Sequence, residues 1–321
     1  MKILIANDDG IAANGIRALA EALSVNNEVY MIAPDRERSA AGHSLTMHTP
    51  LRVEELEPKF GLKRTWVISG TPGDCVKIGL STILSEEEKP DLVISGINHG
   101  PNLGVDILYS GTVSCALEGA MRGYPSIAVS LASMKAEYDD FKVAAEFIAD
   151  FVPRVNTIDF PKKSILNINI PNLSKEDIAG IAITKLGDKM FTDNYDKRVD
   201  PRGKVYYWLA GELVKCDEDD GTDIQAVRCN KISITPVTND TENVPDVVKD
   251  FYRSESNLDY KADLFSKYNI CIKYPMFYVG ILKDILKEDM PAVLPGALLG
   301  SIVECNVRGV LPDRGVFEFN D

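Results

Sequence analysis

The chain begins with a short apolar run, Ile3 to Ala6, that stops at two adjacent aspartates and a glycine. A continuous run of this kind is typical of a strand buried on both faces of a parallel sheet. Open α/β sheets bind ligands at the carboxyl ends of their strands, so Asp8 and Asp9 are predicted to border a site, where Gly10 permits a sharp turn. Two neighbouring carboxylates repel each other unless a cation or a proton offsets their charge, whereas an ordinary surface turn would leave both solvated.

Strand and helix patterns alternate through the first half of the chain. After Gly10, the apolar residues Ile16, Leu19 and Leu23 recur at helical spacing. Buried strands are predicted next at 28–33, 66–69, 90–95, 126–131 and 165–170, with helices at 75–84, from 110 to 122 and at 141–152. The alternation predicts an α/β fold, with a Rossmann-like, doubly wound and mostly parallel sheet that could be complete near residue 171.

The pattern changes after residue 179. This region holds a polar, aromatic stretch, an acidic stretch and two strand-like stretches paired across a turn, at 187–211, 215–222, 224–227 and 231–235. We therefore expect a C-terminal β-hairpin excursion at about 187–230, suited to an oligomer contact or to covering the site. Residues 257–321 are predicted to form an appended small C-terminal segment, because their apolar stretches should pack on something. The expected division is 1–256 and 257–321.

Composition excludes several classes of protein. The 321 residues carry a formal net charge of −13, which argues against a partner such as duplex nucleic acid, since that needs a basic face. The six cysteines form no C-x-x-C pair, so neither a zinc knuckle nor a thioredoxin-type motif is predicted. The sequence shows neither a signal peptide nor an apolar run of membrane-spanning length. We expect a cytoplasmic protein with no membrane partner.

The polar loop at 35–44 follows the second predicted strand. Ser39 could ligate a hard metal through its hydroxyl oxygen, and Arg36, Arg38 and His43 could meet an anion. Loops at the ends of parallel strands often carry function, although a charged surface loop would also explain this composition.

A loop rich in glycine and asparagine follows the strand predicted at 90–95. Asn98 could donate its carbonyl oxygen to a hard cation, and the amide of Asn102 could hydrogen-bond a phosphate oxygen. This loop therefore adds two neutral polar candidates to the same edge of the sheet.

Ser110, Gly111 and Thr112 open the next predicted helix. A helix start offers free N–H groups, hydroxyl donors and the positive end of the helix dipole, which together suit an anion. A simple N-cap is the alternative, since Ser and Thr commonly provide one. The position of this turn opposite Asp8 and Asp9 favours a phosphate site.

Taken together, these loops resemble the SurE (survival protein E) family of nucleotidases. The matching motifs lie in order at 7–10, 33–44, 69–72, 95–102, 109–113, 221–223 and 232–236, and the resemblance covers roughly residues 1–250. It implies a Rossmann-like core, a homodimer or homotetramer, and one divalent ion per subunit. The residues that would bind the ion are Asp8, Asp9, Ser39 and Asn98. These hard oxygen ligands favour Mg²⁺ or Mn²⁺ over zinc.

The resemblance implies a metal-dependent phosphomonoesterase, a 5′-nucleotidase that releases phosphate from nucleoside 5′- or 3′-monophosphates. Asp8 and Asp9 would act with the ion, and His43 would transfer a proton. Phosphate would be held by Asn102, Ser110, Gly111 and Thr112. Two alternatives remain open: a nucleotide-binding regulatory module without turnover, and an enzyme like a glycosyltransferase that uses a nucleotide sugar.

Overall fold

The computed structural model describes residues 1–157, 160, 163–188, 194–211 and 221–238. Its strands are β1 Lys2–Ala6, β2 Glu28–Pro34, β3 Val53–Leu56, β4 Arg64–Ile68, β5 Leu92–His99, β6 Ser126–Ala132, β7 Ser164–Pro171, β8 Ile181–Ile183, β9 Tyr195–Val199, β10 Val205–Leu209 and β11 Ile232–Thr238. Its α-helices are α1 Asn14–Leu23, α2 Pro72–Ile78, α3 Gly111–Met121, α4 Phe141–Phe151 and α5 Asp223–Arg228. None of the helices in these ranges is long and apolar enough to cross a membrane.

Nine strands form one twisted sheet in the order β3-β4-β2-β1-β5-β6-β7-β11-β8. The central pairs β4–β2, β2–β1, β1–β5, β5–β6 and β6–β7 are parallel, whereas β3 and β11 each run antiparallel to a neighbour. The chain adds strands on one side of β1 and then crosses to β5 on the other side. The switch point of the sheet therefore lies at the carboxyl ends of β1 and β5, where open α/β sheets bind ligands.

Alternate residues of β1 enter two different hydrophobic layers. Ile3 and Ile5 are fully buried against α1 and α4. Leu4 and Ala6 are fully buried on the opposite face, which also contains Cys75 of α2. Helices on both faces explain why this strand is apolar at every position. The predicted Rossmann-like, doubly wound α/β fold is confirmed.

The sequence suggested that the sheet could be complete near residue 171, but the structure extends it with further strands. β11 continues it antiparallel to β7, and the short strand β8 pairs with β11. Strand β11 places Ile232 and Ile234 in the core beside Ile168 of β7. The apolar pattern of 231–235 is therefore explained by the main sheet.

The predicted pairing of 224–227 with 231–235 is wrong. Residues Asp223–Arg228 form α5, because the Thr222 hydroxyl accepts from the Gln225 N–H at 3.3 Å and caps a helix. The excursion itself is confirmed as a separate antiparallel hairpin of β9 and β10, in which Tyr195 pairs with Leu209. The boundary at 256/257 and the C-terminal segment lie outside the described residues and stay predictions.

Candidate active site

The loop after β1 is shaped by Asn7 and Gly10. The buried Asn7 side chain donates from Nδ2 to the Gly10 carbonyl at 2.9 Å and accepts the Gly10 N–H at Oδ1, 3.2 Å away. Gly10 has φ +99°, and a Cβ there would lie 3.0 Å from the Arg36 carbonyl carbon. Sequence analysis missed this role of Asn7, although an asparagine three residues before a glycine is typical of a side-chain-closed turn.

Asp8 is buried beneath the first turn of α3. Its carboxylate accepts hydrogen bonds from the Thr112 hydroxyl and from the backbone N–H groups of Gly111 and Thr112. Burial nevertheless raises the pKa of Asp8, since these bonds only partly offset the loss of water. The Asp8 carboxylate thus lies where the sequence predicted a phosphate: at the positive end of a helix.

Asp9 follows Asp8 in the chain, and the charge of Asp8 affects its pKa. Its Oδ2 accepts the His99 N–H at 3.1 Å. Burial, together with the negative charges of Asp8 and Glu37, raises the pKa of Asp9 to about 7. Two carboxylates that resist joint ionisation form a site that a divalent cation would stabilise strongly.

The loop after β2 contacts both the β1 loop and the residues just before α3. The Arg38 N–H donates to the Asp8 carbonyl at 2.7 Å, and the Gly42 N–H donates to the Tyr109 carbonyl at 3.0 Å. Ser39 follows Arg38 directly, and its exposed hydroxyl donates to Glu37 Oε1 at 2.7 Å. The backbone of this loop therefore lies against the β1 loop, while the Ser39 side chain bonds within its own loop.

Asn98 lies near the end of β5, where the register with β6 shifts between Ser95 and Asn98. Its Nδ2 donates to the Gly100 carbonyl at 2.8 Å. This contact uses the nitrogen end of the amide and leaves the oxygen end, which is the end that a hard cation prefers. The next residue, His99, donates its N–H to Asp9, so the structure brings Asn98 and Asp9 to one edge of the sheet.

The first turn of α3 has the N-cap that was the alternative interpretation of Ser110, Gly111 and Thr112. Ser110 is the N-cap, and its Oγ accepts the Val113 N–H at 3.1 Å. Gly111 allows close approach, because a Cβ there would lie 2.7 Å from Asp8 Oδ2. A role for Ser110, Gly111 and Thr112 in holding phosphate stays a prediction.

His43 lies next to an acid that sequence analysis missed. Its Nε2 is 3.1 Å from Oε2 of Glu118, a buried residue two helical turns beyond Gly111. Arg122 Nε and Lys77 Nζ lie 3.0 and 3.7 Å from the other oxygen of Glu118. Burial opposes ionisation of Glu118, but the His43 hydrogen bond and the two cations outweigh it and lower its pKa. A lone glutamate on an apolar helix face was the available sequence signal.

The donor set at the β1 loop suits a hard cation. Within the described part of the chain, no three His, Cys, Asp or Glu side chains gather as metal ligands. An ion at Asp8 and Asp9 would therefore complete its shell with neutral oxygens, such as those of Ser39 and Asn98, and with water. Oxygen-only coordination of this kind is typical of Mg²⁺ and Mn²⁺.

Comparison with known proteins places this chain in a family. Residues 3–193 match the family model described as "Survival protein SurE". The 5′-nucleotidase SurE of Pelotomaculum thermopropionicum is 52% identical over 238 residues, which span 74% of this chain and 89% of that protein. The 5′-nucleotidase SurE of Synechococcus elongatus is 48% identical over 268 residues, or 81% and 99% of the two chains.

A solved structure agrees with this match. The crystal structure of the SurE protein from Aquifex aeolicus superposes with a TM-score of 0.68 at 43% identity, covering 79% of this chain and 99% of that one. Sequence, fold and the arrangement of the strand-end loops therefore lead to one conclusion: this chain belongs to the SurE family.

Proposed function

We propose that this chain is a 5′-nucleotidase, a phosphomonoesterase that hydrolyses nucleoside 5′-monophosphates to nucleoside and phosphate. The observation that carries the proposal is the Asp8–Asp9 pair: Asp8 is buried beneath the first turn of α3, and Asp9 accepts the N–H of His99, the residue next to Asn98. The relatives that match most of the chain are named 5′-nucleotidases. Their names do not favour a regulatory module without turnover or a nucleotide-sugar transferase. We include 3′-monophosphates as a second substrate class.

The metal would be one Mg²⁺ or Mn²⁺ per subunit, held by Asp8, Asp9, Asn98 and Ser39. The Ser39 hydroxyl would leave Glu37 to join this set. When bound, such an ion polarises a phosphoryl oxygen and lowers the pKa of a bound water. The protein's own contribution is positional: Asn7 closes the loop that presents both carboxylates, and the His99 N–H fixes the orientation of Asp9.

The phosphate group would lie near the first turn of α3, within reach of Asn102, Ser110, Gly111 and Thr112. Backbone N–H groups and a helix dipole stabilise anionic oxygens without moving during the reaction. His43 is the proposed group for proton transfer. Its bond to Glu118 holds the imidazole in one orientation, as carboxylates do for other catalytic histidines.

A homodimer or homotetramer is the proposed assembly, in the cytoplasm, with the β9–β10 hairpin as a contact. Every residue of both strands is exposed. The register places Tyr195, Val199, Val205, Tyr207 and Leu209 on one face together with Lys197, and exposed, mainly apolar faces of this kind mark interfaces. Light scattering on a Tyr207→Ser, Leu209→Ser variant should show a smaller assembly than the wild type.

We also propose that residues 1–256 suffice for hydrolysis and that 257–321 are an extension. The match to the Synechococcus elongatus relative supports this, because 268 residues already cover 99% of that protein. A chain ending after residue 256 should retain metal-dependent phosphate release. A folded truncation that binds Mn²⁺ normally and yet lacks activity would show that the extension contributes to the site.

Phosphate release from AMP tests the function directly. Wild type should release phosphate with Mn²⁺ or Mg²⁺, lose activity in EDTA and regain it when the ion is restored. Asp9→Asn should abolish nearly all turnover and most Mn²⁺ binding while circular dichroism stays unchanged. Full activity of the EDTA-treated wild type would rule out the proposed chemistry, and tight AMP binding without phosphate release would favour the regulatory module.

A further inference from the structure

Asn169 of β7 binds the backbone of Asn102 with both ends of its side chain. Its Oδ1 accepts the Asn102 N–H at 2.8 Å, and its Nδ2 donates to the Asn102 carbonyl at 2.9 Å. Asn169 is fully buried, so water cannot replace either bond. A carboxamide offers a donor and an acceptor in this arrangement at any pH, which makes asparagine well suited to this position.

Two more residues complete the attachment of Asn102. Asn167, two positions earlier on β7, donates from Nδ2 to the same Asn102 carbonyl at 2.8 Å. Ser130 of β6 accepts a hydrogen bond from Asn102 Nδ2 at 2.8 Å. Asn167 and Ser130 are also fully buried. Four hydrogen bonds from two adjacent strands therefore fix both the backbone and the side chain of Asn102.

This attachment lies in the middle of the loop that joins β5 to α3. The loop is also held at Gly100, whose N–H donates to the Leu131 carbonyl at 3.1 Å, and at Gly104, whose N–H donates to Asp223 Oδ2 at 2.8 Å. Asn98 precedes these points and Ser110 follows them. The position of Asn102 is therefore set by residues far away in the chain, and it does not depend on local turn preferences.

Among the residues that the structure describes, Ser130 is the one hydrogen-bond partner of the Asn102 side-chain nitrogen, so one of its donors is unused. A carboxamide nitrogen carries two N–H bonds, and the bond to Ser130 uses one of them. The other is the kind of donor that binds a phosphoryl oxygen. Since the backbone and the side chain are both fixed, this donor has a set direction before any ligand arrives, which lowers the entropic cost of binding.

We propose that Asn169 is a positioning residue for phosphate, acting through Asn102, with Ser130 setting the orientation of the Asn102 amide. The proposal rests on the proposed function, because it takes Asn102 as a contact of the substrate phosphate. The ligand class is a phosphate monoester or the inorganic phosphate product. Asn169 itself does not touch the ligand.

The test is Asn169→Asp, which keeps the shape of the side chain and the acceptor for the Asn102 N–H. The ionised carboxylate has no donor and turns an oxygen toward the Asn102 carbonyl, so the attachment is weakened at one point. A pH series shows whether the buried carboxyl is ionised, because a protonated carboxyl would restore the donor. With saturating Mn²⁺, we expect the Kd for inorganic phosphate and the KM for AMP to rise at least tenfold. The Kd for Mn²⁺ alone should stay within about twofold of wild type.

A double variant separates positioning from a general structural role. Asn102→Ala removes the phosphate donor but keeps the backbone N–H and C=O that Asn169 binds. In that background, Asn169→Asp should change the Kd for phosphate less than twofold. An equal loss of phosphate affinity with and without the Asn102 side chain would overturn the proposal, as would wild-type phosphate affinity in a folded Asn169→Asp protein whose carboxylate is ionised.

A second variant decides the matter if Asn169→Asp does not fold. Ser130→Ala removes the acceptor that orients the Asn102 amide and should raise the Kd for phosphate at least threefold. The matched control is Ser126→Ala, on the same strand, since Ser126 is also fully buried and its hydroxyl donates to the Tyr124 carbonyl at 2.9 Å. Equal phosphate affinity in both serine variants would overturn the proposal. Failure of wild type to release phosphate from AMP would instead contradict the proposed function.

Discussion

The hydroxyl of Thr112 donates a hydrogen bond to Oδ1 of Asp8, and the two residues are 104 positions apart in the chain. This bond joins the carboxyl end of β1 to the first turn of α3. The helix end that would attract a phosphate therefore also holds a carboxylate of the proposed metal site. Metal and phosphate would then share one electrostatic environment, so changes in this turn should affect both.

Thr112→Val should destabilise the protein and weaken metal binding. Valine keeps the volume but removes a buried donor to a carboxylate, which costs about 1–3 kcal/mol of unfolding free energy. Loss of that bond raises the pKa of Asp8 further, so protons compete better with Mn²⁺ at pH 7. Calorimetric titration with Mn²⁺ and urea unfolding measure the two effects. Thr112→Ser, which keeps the hydroxyl, should retain most of both, and unchanged Mn²⁺ affinity in Thr112→Val would contradict this reasoning.

Gly111→Ala should act on the site more than on the fold. The added Cβ would lie 2.6 Å from Asp8 Cβ and 2.7 Å from Oδ2, so the carboxylate must move. Gly119→Ala on the same helix is the matched control, because its Cβ would meet the Ser126 hydroxyl at 2.6 Å, away from Asp8. We expect both variants to lower the urea midpoint of unfolding. Only Gly111→Ala should raise the Kd for Mn²⁺ by tenfold or more.

Two replacements of Ser110 separate its roles as cap and as phosphate contact. Ser110→Ala should cost about 1 kcal/mol of stability, whereas Ser110→Gly should cost only about a few tenths, because glycine is a tolerable N-cap. If the hydroxyl also binds phosphate, both variants should raise the KM for AMP by roughly tenfold, the effect of losing a hydrogen bond to a charged group. Unchanged KM in the stable glycine variant would leave Ser110 as a cap alone.

Glu118→Gln should make stability less sensitive to acid. Although burial opposes ionisation, His43, Lys77 and Arg122 lower the pKa of Glu118 in the folded protein. A lowered pKa contributes stability above the ordinary glutamate value of about 4.3, and the contribution is lost as pH falls through the folded value. The free energy of unfolding of wild type should exceed that of Glu118→Gln by about 1–3 kcal/mol near pH 6, and this difference should disappear below about pH 4.

Urea unfolding between pH 3 and 7 measures that difference. Lys77→Gln provides the control, because Lys77 lies 3.7 Å from the same carboxylate but is partly exposed. Its effect should stay below about 1 kcal/mol, as for other exposed ion pairs. A constant gap between wild type and Glu118→Gln at all pH values would show that the Glu118 charge contributes nothing to stability.

Sequence alone determined the order of strands and helices around the site. Short apolar runs mark strands buried on both faces, and the polar loops that follow them must emerge at one edge of a parallel sheet. From that reasoning, we predicted that the Asp8–Asp9 pair, the Ser39 loop and the Asn98 loop lie at the same edge of the sheet. It worked because these signals depend on neighbours in the chain and on the common direction of the strands.

The tertiary structure alone decided which partner each polar group takes. Residues 224–227 have a strand-like composition, yet the Thr222 cap and the packing beside β11 make them a helix. Thr112 on Asp8, Glu118 on His43 and Asn169 on Asn102 are pairs far apart in sequence. A buried donor or acceptor takes the nearest group of opposite kind, because leaving it unpaired costs about 1–3 kcal/mol. Which group is nearest depends on how the strands and helices pack in three dimensions, and local sequence patterns do not contain that information.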